Sequence, residues 1–132
     1  MKNGFIGQIE KITKKNSNFR RVLYTSKHLQ LVIMTLKPGE DIGEEKHDDV
    51  DQFFRFESGK GKVEINKKMH TVKDGDAVIV PAGALHNVIN TSTTPLKLYT
   101  LYSPPEHKDQ IVRKTKVSAL TKEEHYEGKT TE

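Results

Sequence analysis

Hydrophobic residues occur along the chain in short blocks that Gly, Pro, Asn and Asp separate from one another. Blocks of this length between turn-forming residues are typical of short β-strands rather than of amphipathic helices. The pattern predicts eight strands, at residues 20–25, 29–36, 51–57, 61–65, 70–72, 77–80, 86–91 and 96–103. Short strands at this regular spacing indicate an all-β sandwich or barrel.

The two ends of the chain lack this pattern. Residues 1–18 are polar, and we expect them to be disordered or to add an edge strand. The barrel should span residues 19–104. Residues 105–132 should form a C-terminal tail, in which 118–126 is the one predicted helix, with Ser118 as its N-cap.

Length and composition limit the classes of function. The chain has 132 residues, which suits a single domain. It contains no cysteine, which excludes disulfides, thiol nucleophiles and cysteine-rich zinc sites. Because a signal-peptide core is also absent, we expect a cytoplasmic protein. No apolar run approaches the roughly 20 residues that cross a bilayer, so we expect no membrane partner.

The charge adds little to this picture. A formal charge of +4 arises from 22 basic and 18 acidic residues, which are interspersed through most of the chain. The densest basic stretches, residues 11–21 and 113–116, lack the interleaved aromatic side chains of a nucleic-acid-binding surface. We interpret them as solvated faces and expect no nucleic-acid partner.

Four residues could bind a metal ion together. Glu45, His47 and Gln52 fall around the start of one predicted strand, and His86 opens a later one. Residues two apart in extended chain point to the same face, so Glu45 and His47 can both aim into a barrel interior. Imidazole, carboxylate and amide donors suit one divalent transition ion. Fe, Mn, Ni, Co and Zn all remain candidates.

Two motifs give the chain a family resemblance. The first has the spacing G, five residues, HxH, four residues, E, six residues, G, and is carried here by Gly39, Glu45, His47, Gln52 and Gly59. The second reads G, five residues, PxG, two residues, H, three residues, N, and is carried by Gly75, Pro81, Gly83, His86 and Asn90. Both motifs resemble those of the cupin superfamily, and the fifteen residues between them resemble compact bacterial single-domain cupins.

The resemblance implies a cupin-type double-stranded β-helix, a jelly-roll barrel with short non-β tails. It also implies that metal ligands occupy the positions of Glu45, His47, Gln52 and His86. Glu45 and Gln52 stand where the family usually has its first His and its Glu, which indicates a changed site. Other interpretations stay open, because Glu45 and His47 could be exposed loop residues, and Gln52 could orient a ligand or hydrogen-bond a substrate.

Aromatic residues near the predicted site suggest a pocket and a partner. Alternation sends Phe54 and Phe56 to the face of Gln52, so we expect them to line the cavity with Tyr99. Tyr99 could instead be an ordinary half-buried strand residue, and the same choice applies to Tyr102. Phe53 should then face outward against another sheet or subunit. Since cupin-like barrels commonly pair, we expect a homodimer.

The remaining histidines, His28, His70, His107 and His125, fit no ligand spacing, and we interpret them as surface or hairpin residues. His107 differs from the others because it follows Pro104-Pro105 at the end of the last predicted strand. It could fold back over the mouth of the barrel.

The expected function is that of a metal-dependent enzyme acting on a small, polar, oxygen-bearing molecule. Isomerase or epimerase chemistry and dioxygenase chemistry both suit the donor set, and Glu45 could act as ligand or as catalytic base. The alternative is a non-catalytic barrel that binds or senses a small molecule.

Overall fold

A computed structural model describes residues 1–132, and it is predominantly β. Two short helices, α1 (Ile9–Lys15) and α2 (Lys116–Thr121), lie near the ends of the chain. The strands are β1 (Arg20–Thr25), β2 (Gln30–Leu36), β3 (Asp51–Ser58), β4 (Lys60–Ile65), β5 (Lys68–Lys73), β6 (Ala77–Val80), β7 (His86–Ile89), β8 (Leu96–Ser103) and β9 (Val112–Arg113). The bounds of β1, β6 and β8 agree with the prediction, which confirms the all-β fold.

The strands form two antiparallel sheets. The larger has six strands in the order β6-β3-β8-β2-β1-β9, and the smaller has three in the order β5-β4-β7. A core of 18 buried hydrophobic residues lies within the barrel. Along β3 and β8, every second residue faces this core, as the period of two in a pleated strand requires. Neither helix is long and apolar enough to cross a membrane.

Two glycines let the chain pass close to its neighbours at the start of β4. A Cβ atom on Gly61 would lie 2.3 Å from the carbonyl oxygen of Ile89 on the paired strand β7. Gly59, at the turn before β4, has φ +92°, and its Cβ would lie 2.5 Å from the carbonyl oxygen of Pro95. The approach at Gly59 explains why the first motif ends in glycine.

Within the N-terminal segment, residues 9–15 form α1, an element that the sequence analysis did not predict. The helix has seven residues, of which Thr13 is buried. Lys14 forms an i,i+4 ion pair with Glu10 at 2.7 Å on its exposed side. Lys97 of β8 donates from Nζ to the carbonyl oxygens of Lys14 and Asn16, at 2.7 Å each. A cation at the end of the helix satisfies carbonyl groups that have no partner inside it.

The C-terminal tail also departs from prediction. Residues 112 and 113 form β9 on the edge of β1, and α2 begins and ends earlier than the predicted helix 118–126. Thr115, not Ser118, is the N-cap, and the two residues form a reciprocal capping box. Beyond α2 the chain returns across the barrel, where the Tyr126 amide donates to the carbonyl oxygen of Glu106 at 2.9 Å.

Candidate metal centre

The first motif is attached to the second by backbone hydrogen bonds. Glu45 and His86 form an isolated antiparallel bridge in which each amide donates to the other's carbonyl oxygen at 2.8 Å. Two residues further, the Gly83 amide donates to the carbonyl oxygen of His47, also at 2.8 Å. The backbone of the second motif therefore fixes Glu45 and His47 beside His86.

Three of the predicted ligands meet at one point. One donor atom each from Glu45, His47 and His86 lie within 4.8 Å of one another, the separation that a shared ion requires. The His47 and His86 rings have centroids 5.6 Å apart. His47 Nε2 lies 3.0 Å from Glu45 Oε2, which is hydrogen-bond distance. A metal ion bound by both atoms would replace this hydrogen bond.

His86 is oriented for ligation by its own turn. Its Nδ1–H donates to the carbonyl oxygen of Ala84 at 3.1 Å, which leaves Nε2 with the lone pair. Nε2 is buried and has no hydrogen-bond partner. Burial lowers the pKa of His86 more than the nearby Ala84 carbonyl and Glu45 raise it. A neutral imidazole with a free, buried lone pair fits a metal ion.

Gln52 lies on β3 with its side chain in the interior, where it is 2% exposed. Its Nε2 donates to Thr100 Oγ1 at 3.0 Å, while its Oε1 is buried without a partner. An amide oxygen is a suitable donor to a divalent ion, and an unsatisfied buried oxygen is costly. The role of Gln52 as fourth ligand fits this environment and stays a prediction.

Glu45 and His47 of the first motif shift each other's pKa values so that a negative carboxylate and a positive imidazole are favoured. Burial would raise the pKa of Glu45, but the hydrogen bond and charge of His47, with Arg20 and His86, hold it below its usual value. The hydrogen bond to Glu45 raises the pKa of His47 despite partial burial. On its other side, His47 Nδ1 lies 3.6 Å from Glu106 Oε1, so a second carboxylate faces the ring.

A chain of polar groups joins the tail to the site through Tyr102. The Tyr102 ring stands edge-on to His47, with centroids 6.1 Å apart. Its hydroxyl lies 3.2 Å from His107 Nε2, and His107 Nδ1 lies 3.1 Å from Glu124 Oε1. Burial keeps His107 neutral by lowering its pKa, and burial also raises the pKa of Tyr102. Tyr102 therefore holds its proton, with Glu124 and His107 aligned behind it.

The structure corrects the prediction for Tyr99, whereas Phe54 and Phe56 face inward as predicted. Tyr99 lies on the outer face of β8, where its ring contacts Phe53 at a centroid distance of 6.3 Å, because residues 99 and 102 face opposite sides of the strand. Phe54 and Phe56 are fully buried and stack at 6.4 Å in the core. The Phe54 ring stands edge-on to His86, with centroids 6.2 Å apart, and a place for Phe54 and Phe56 in the pocket wall stays a prediction. Phe53 faces outward as predicted.

The candidate centre opens into a cavity of about 350 Å³. Its wall combines barrel residues with the tail, and its lining residues are Phe19, Arg20, Ile42, Glu45, Lys46, His47, Glu106, His107, Ala119, Leu120, Glu123, Glu124 and His125. This volume is at the lower end of the range for ligand pockets, so it suits a small molecule.

Arg20, Glu106 and Glu124 line this cavity and were missed by sequence reasoning. Arg20 lies in a stretch interpreted as a solvated basic face, yet strand parity with Val22 would have sent it inward. His107, predicted as a surface residue that could fold back, does fold back and is 8% exposed. Nothing in the local sequence around Glu124 predicts its position, because the tail is placed by long-range contacts.

Comparisons with known proteins agree with the cupin-type fold. A family model described as "Cupin domain" matches residues 32–102, which is more than half of the chain. The uncharacterized protein YrkC of Bacillus subtilis (strain 168) is 47% identical over 126 residues, spanning 91% of this chain and 68% of YrkC. The uncharacterized protein L612 of Acanthamoeba polyphaga mimivirus is 44% identical over 107 residues, spanning 78% of this chain and 67% of L612.

A solved structure extends the likeness to nearly the whole fold. The crystal structure of BH2720 from Bacillus halodurans superposes with a TM-score of 0.88 at 43% sequence identity. The match covers 90% of this chain and 95% of that one. The match therefore extends beyond residues 32–102, which the family model covers.

Proposed function

Because the chain belongs to the cupin family, we propose that it is a metal-dependent enzyme that isomerises or epimerises a small, polar, oxygen-bearing molecule by proton transfer. The observation that carries this proposal is the approach of one donor atom each from Glu45, His47 and His86 to within 4.8 Å. The unpartnered atoms His86 Nε2 and Gln52 Oε1 support it, because both have the chemistry of metal donors.

The ion that these residues would hold is one divalent transition metal, Fe, Mn, Ni, Co or Zn. When bound, such an ion polarises a carbonyl or enediol oxygen and makes the adjacent C–H more acidic. The proton-transfer steps of the proposed reaction are assigned to side chains of the protein.

Glu45 is the proposed base. Its carboxylate faces the cavity beside His47, so it can accept a proton from a carbon next to a bound oxygen. His107 is the proposed second proton carrier, because it lines the cavity and its Nε2 lies 3.2 Å from the hydroxyl of Tyr102, which carries a proton. Two proton carriers at different positions allow a proton to leave one atom and return to another.

Solvent-hydrogen exchange tests the proposal whichever product the enzyme forms. Metal-loaded protein is incubated in D₂O with small hydroxy-ketones and hydroxy-aldehydes, and NMR follows deuterium entering C–H positions. Tyr102→Phe removes the hydroxyl that supplies His107 with a proton, so it should slow exchange by roughly 10²- to 10⁴-fold, the usual contribution of one acid or base, and should retain the metal. Tyr99→Phe is the matched control on the outer face of the same strand, and its rate should equal that of the wild type.

The donor set favours one second candidate, a dioxygenase. Two imidazoles and one carboxylate with open positions are the set that non-haem iron(II) oxygenases use, and Glu45, His47 and His86 supply it. Oxygen uptake by iron-loaded protein, without deuterium exchange, would favour this candidate. Bound metal with neither exchange nor oxygen uptake would contradict both enzymes and favour a non-catalytic binding barrel.

A further inference from the structure

Arg20 is a buried cation inside the barrel. It is the first residue of β1, and its side chain is on the same buried face as Val22 while Arg21 between them is exposed. Arg20 is 8% exposed and lines the cavity together with Glu45 and His47. A charged side chain is rarely this buried unless it is paired.

The guanidinium of Arg20 forms no direct ion pair or hydrogen bond, and its charge acts on the nearby carboxylate of Glu45 only through space. Its Nε atom is buried without a hydrogen-bond partner, and the ion pairs near the cavity join His47, His107 and Arg113 to glutamates without involving Arg20. Its one close aromatic neighbour is Phe19, whose ring centroid is 5.4 Å from Cζ. Leaving a buried donor unsatisfied costs about 1–3 kcal/mol, more when it is charged, so the group is expected to have a ligand that satisfies it.

The charge of the cavity limits what that ligand can be. Four carboxylates, on Glu45, Glu106, Glu123 and Glu124, and two cationic side chains, on Arg20 and Lys46, line it. The excess of two negative charges would be balanced by one divalent ion. With that ion bound, a dianion such as phosphate would leave two excess negative charges in the cavity, whereas a monoanion would leave only one.

The geometry of guanidinium narrows the class further. Its N–H groups form a planar fork that matches the two oxygens of a carboxylate, and such bidentate pairs are among the strongest hydrogen bonds in proteins. A cavity of about 350 Å³ leaves room for only a small acid between Arg20 and the metal centre.

We propose that Arg20 binds the carboxylate of the substrate, so that the substrate class is a small hydroxy- or oxo-carboxylic acid. The acid is held by Arg20 at one end while its hydroxyl or carbonyl oxygen faces Glu45, His47 and His86. That the bound acid is a substrate rests on the proposed function; the carboxylate site itself does not.

The test compares charged probes with neutral ones. Glycolate and lactate are titrated calorimetrically into metal-loaded protein, each beside its amide, glycolamide or lactamide, and inorganic phosphate is titrated separately. Wild type should bind the carboxylates roughly 10- to 100-fold more tightly than the amides, as expected for a charge-assisted pair. Arg20→Gln should lose that preference while its affinity for the amides stays the same.

Arg21→Gln is the matched control, because it removes the same charge from the exposed face of the same strand. Arg20→Lys keeps the charge without the fork and should retain only part of the preference. If circular dichroism shows that Arg20→Gln is unfolded, the carboxylate preference of Arg20→Lys is compared with that of the wild type instead. Equal affinity of wild type for acid and amide, a preference that survives loss of Arg20, or tighter binding of phosphate would each overturn the inference.

Repeating the titrations after treatment with EDTA separates the two proposals. A protein that takes up no ion yet prefers carboxylates through Arg20 would contradict the metal-dependent function and support this inference. A protein that binds its ion and shows no carboxylate preference would contradict the carboxylate site and leave the metal-dependent function standing.

Discussion

Three of the seven buried side-chain atoms that lack a hydrogen-bond partner lie around the candidate metal centre. Arg20 Nε, Gln52 Oε1 and His86 Nε2 are all buried without partners, and all belong to the interior around Glu45 and His47. Buried polar groups in folded proteins nearly always find partners, so such a group of exceptions marks atoms whose partner is a ligand. The lone pairs on Gln52 and His86 suit a cation, and the N–H donor on Arg20 suits an anion.

Gln52 gives the sharpest prediction at the scale of one residue. Gln52→Leu removes the unpaired oxygen and should weaken metal binding by roughly 10- to 100-fold, whether the amide ligates the ion or orients a ligand. Gln52→Glu restores a carboxylate and should tighten it, because a charged oxygen is the stronger donor to a divalent ion. Competition with a chromophoric chelator measures both affinities.

The control for Gln52→Glu is Gln110→Glu, which adds the same charge at an exposed position. A general effect of negative charge would appear in both variants. Metal affinity that is unchanged in Gln52→Leu would mean that Gln52 serves only Thr100, its present hydrogen-bond partner.

At the scale of the element, the candidate centre depends on β7, an edge strand of the smaller sheet. Glu45 is outside the named strands and is held by its bridge to His86, at the start of β7. β7 is in turn held by β4, whose residue Gly61 lets the two backbones approach. The packing of β4 against β7 therefore positions His86.

Gly61→Ala should lower the free energy of unfolding by about 1–3 kcal/mol, because the added Cβ would overlap the carbonyl oxygen of Ile89. Urea denaturation measures the change. Gly7→Ala is the control, since its nearest neighbours are the ends of the flexible side chains of Ile12 and Phe5, and it should cost little. Equal stability of the two variants would contradict the close approach.

Sequence reasoning succeeded for elements with a regular pattern and failed for those without one. The alternation in β3 and β8 and the turns around them fix strands, faces and the approximate site. The helix α1 has only seven residues, too few for a convincing helical period, and β9 has two. Arg20 was misplaced because a run of charges was given more weight than strand parity.

Tyr99 and Tyr102 illustrate the same limit in the site. Both were weighed as candidates, but the one chosen for the pocket lies on the outer face. Counting from the buried Leu96 and Leu98 would have turned Tyr102 inward. The contacts of Tyr102 with His107, and of His107 with Glu124, depend on a tail path that no local pattern encodes.

At the scale of the whole molecule, the outer face of the larger sheet carries exposed apolar residues. Ile79 on β6 is 68% exposed, Leu29 is 45% exposed, and Phe53, Tyr99 and Leu101 are only partly buried. Their strands are neighbours, since β6 pairs with β3 and β3 with β8. We propose that a second copy of the chain covers this face, because β6 is also an edge strand open to pairing.

Light scattering after size-exclusion chromatography should therefore give the mass of a dimer, near twice 15.0 kDa. Ile79→Glu should shift the protein towards monomer, because it would bury a charge in the contact. Met69→Glu, an exposed residue on the smaller sheet, should remain dimeric. A monomeric wild type, or a dimer that persists in Ile79→Glu, would contradict this assignment of the face.

The measurement that tests the central claim most directly is elemental analysis of protein purified without a polyhistidine tag. Wild type should contain about one transition-metal ion per chain, and His47→Ala and His86→Ala should each lose it while remaining folded. His70→Ala, at an exposed position of β5, should keep the ion. Stoichiometric metal retained in both ligand variants, or a wild type that takes up no Mn, Fe, Co, Ni or Zn, would contradict the account.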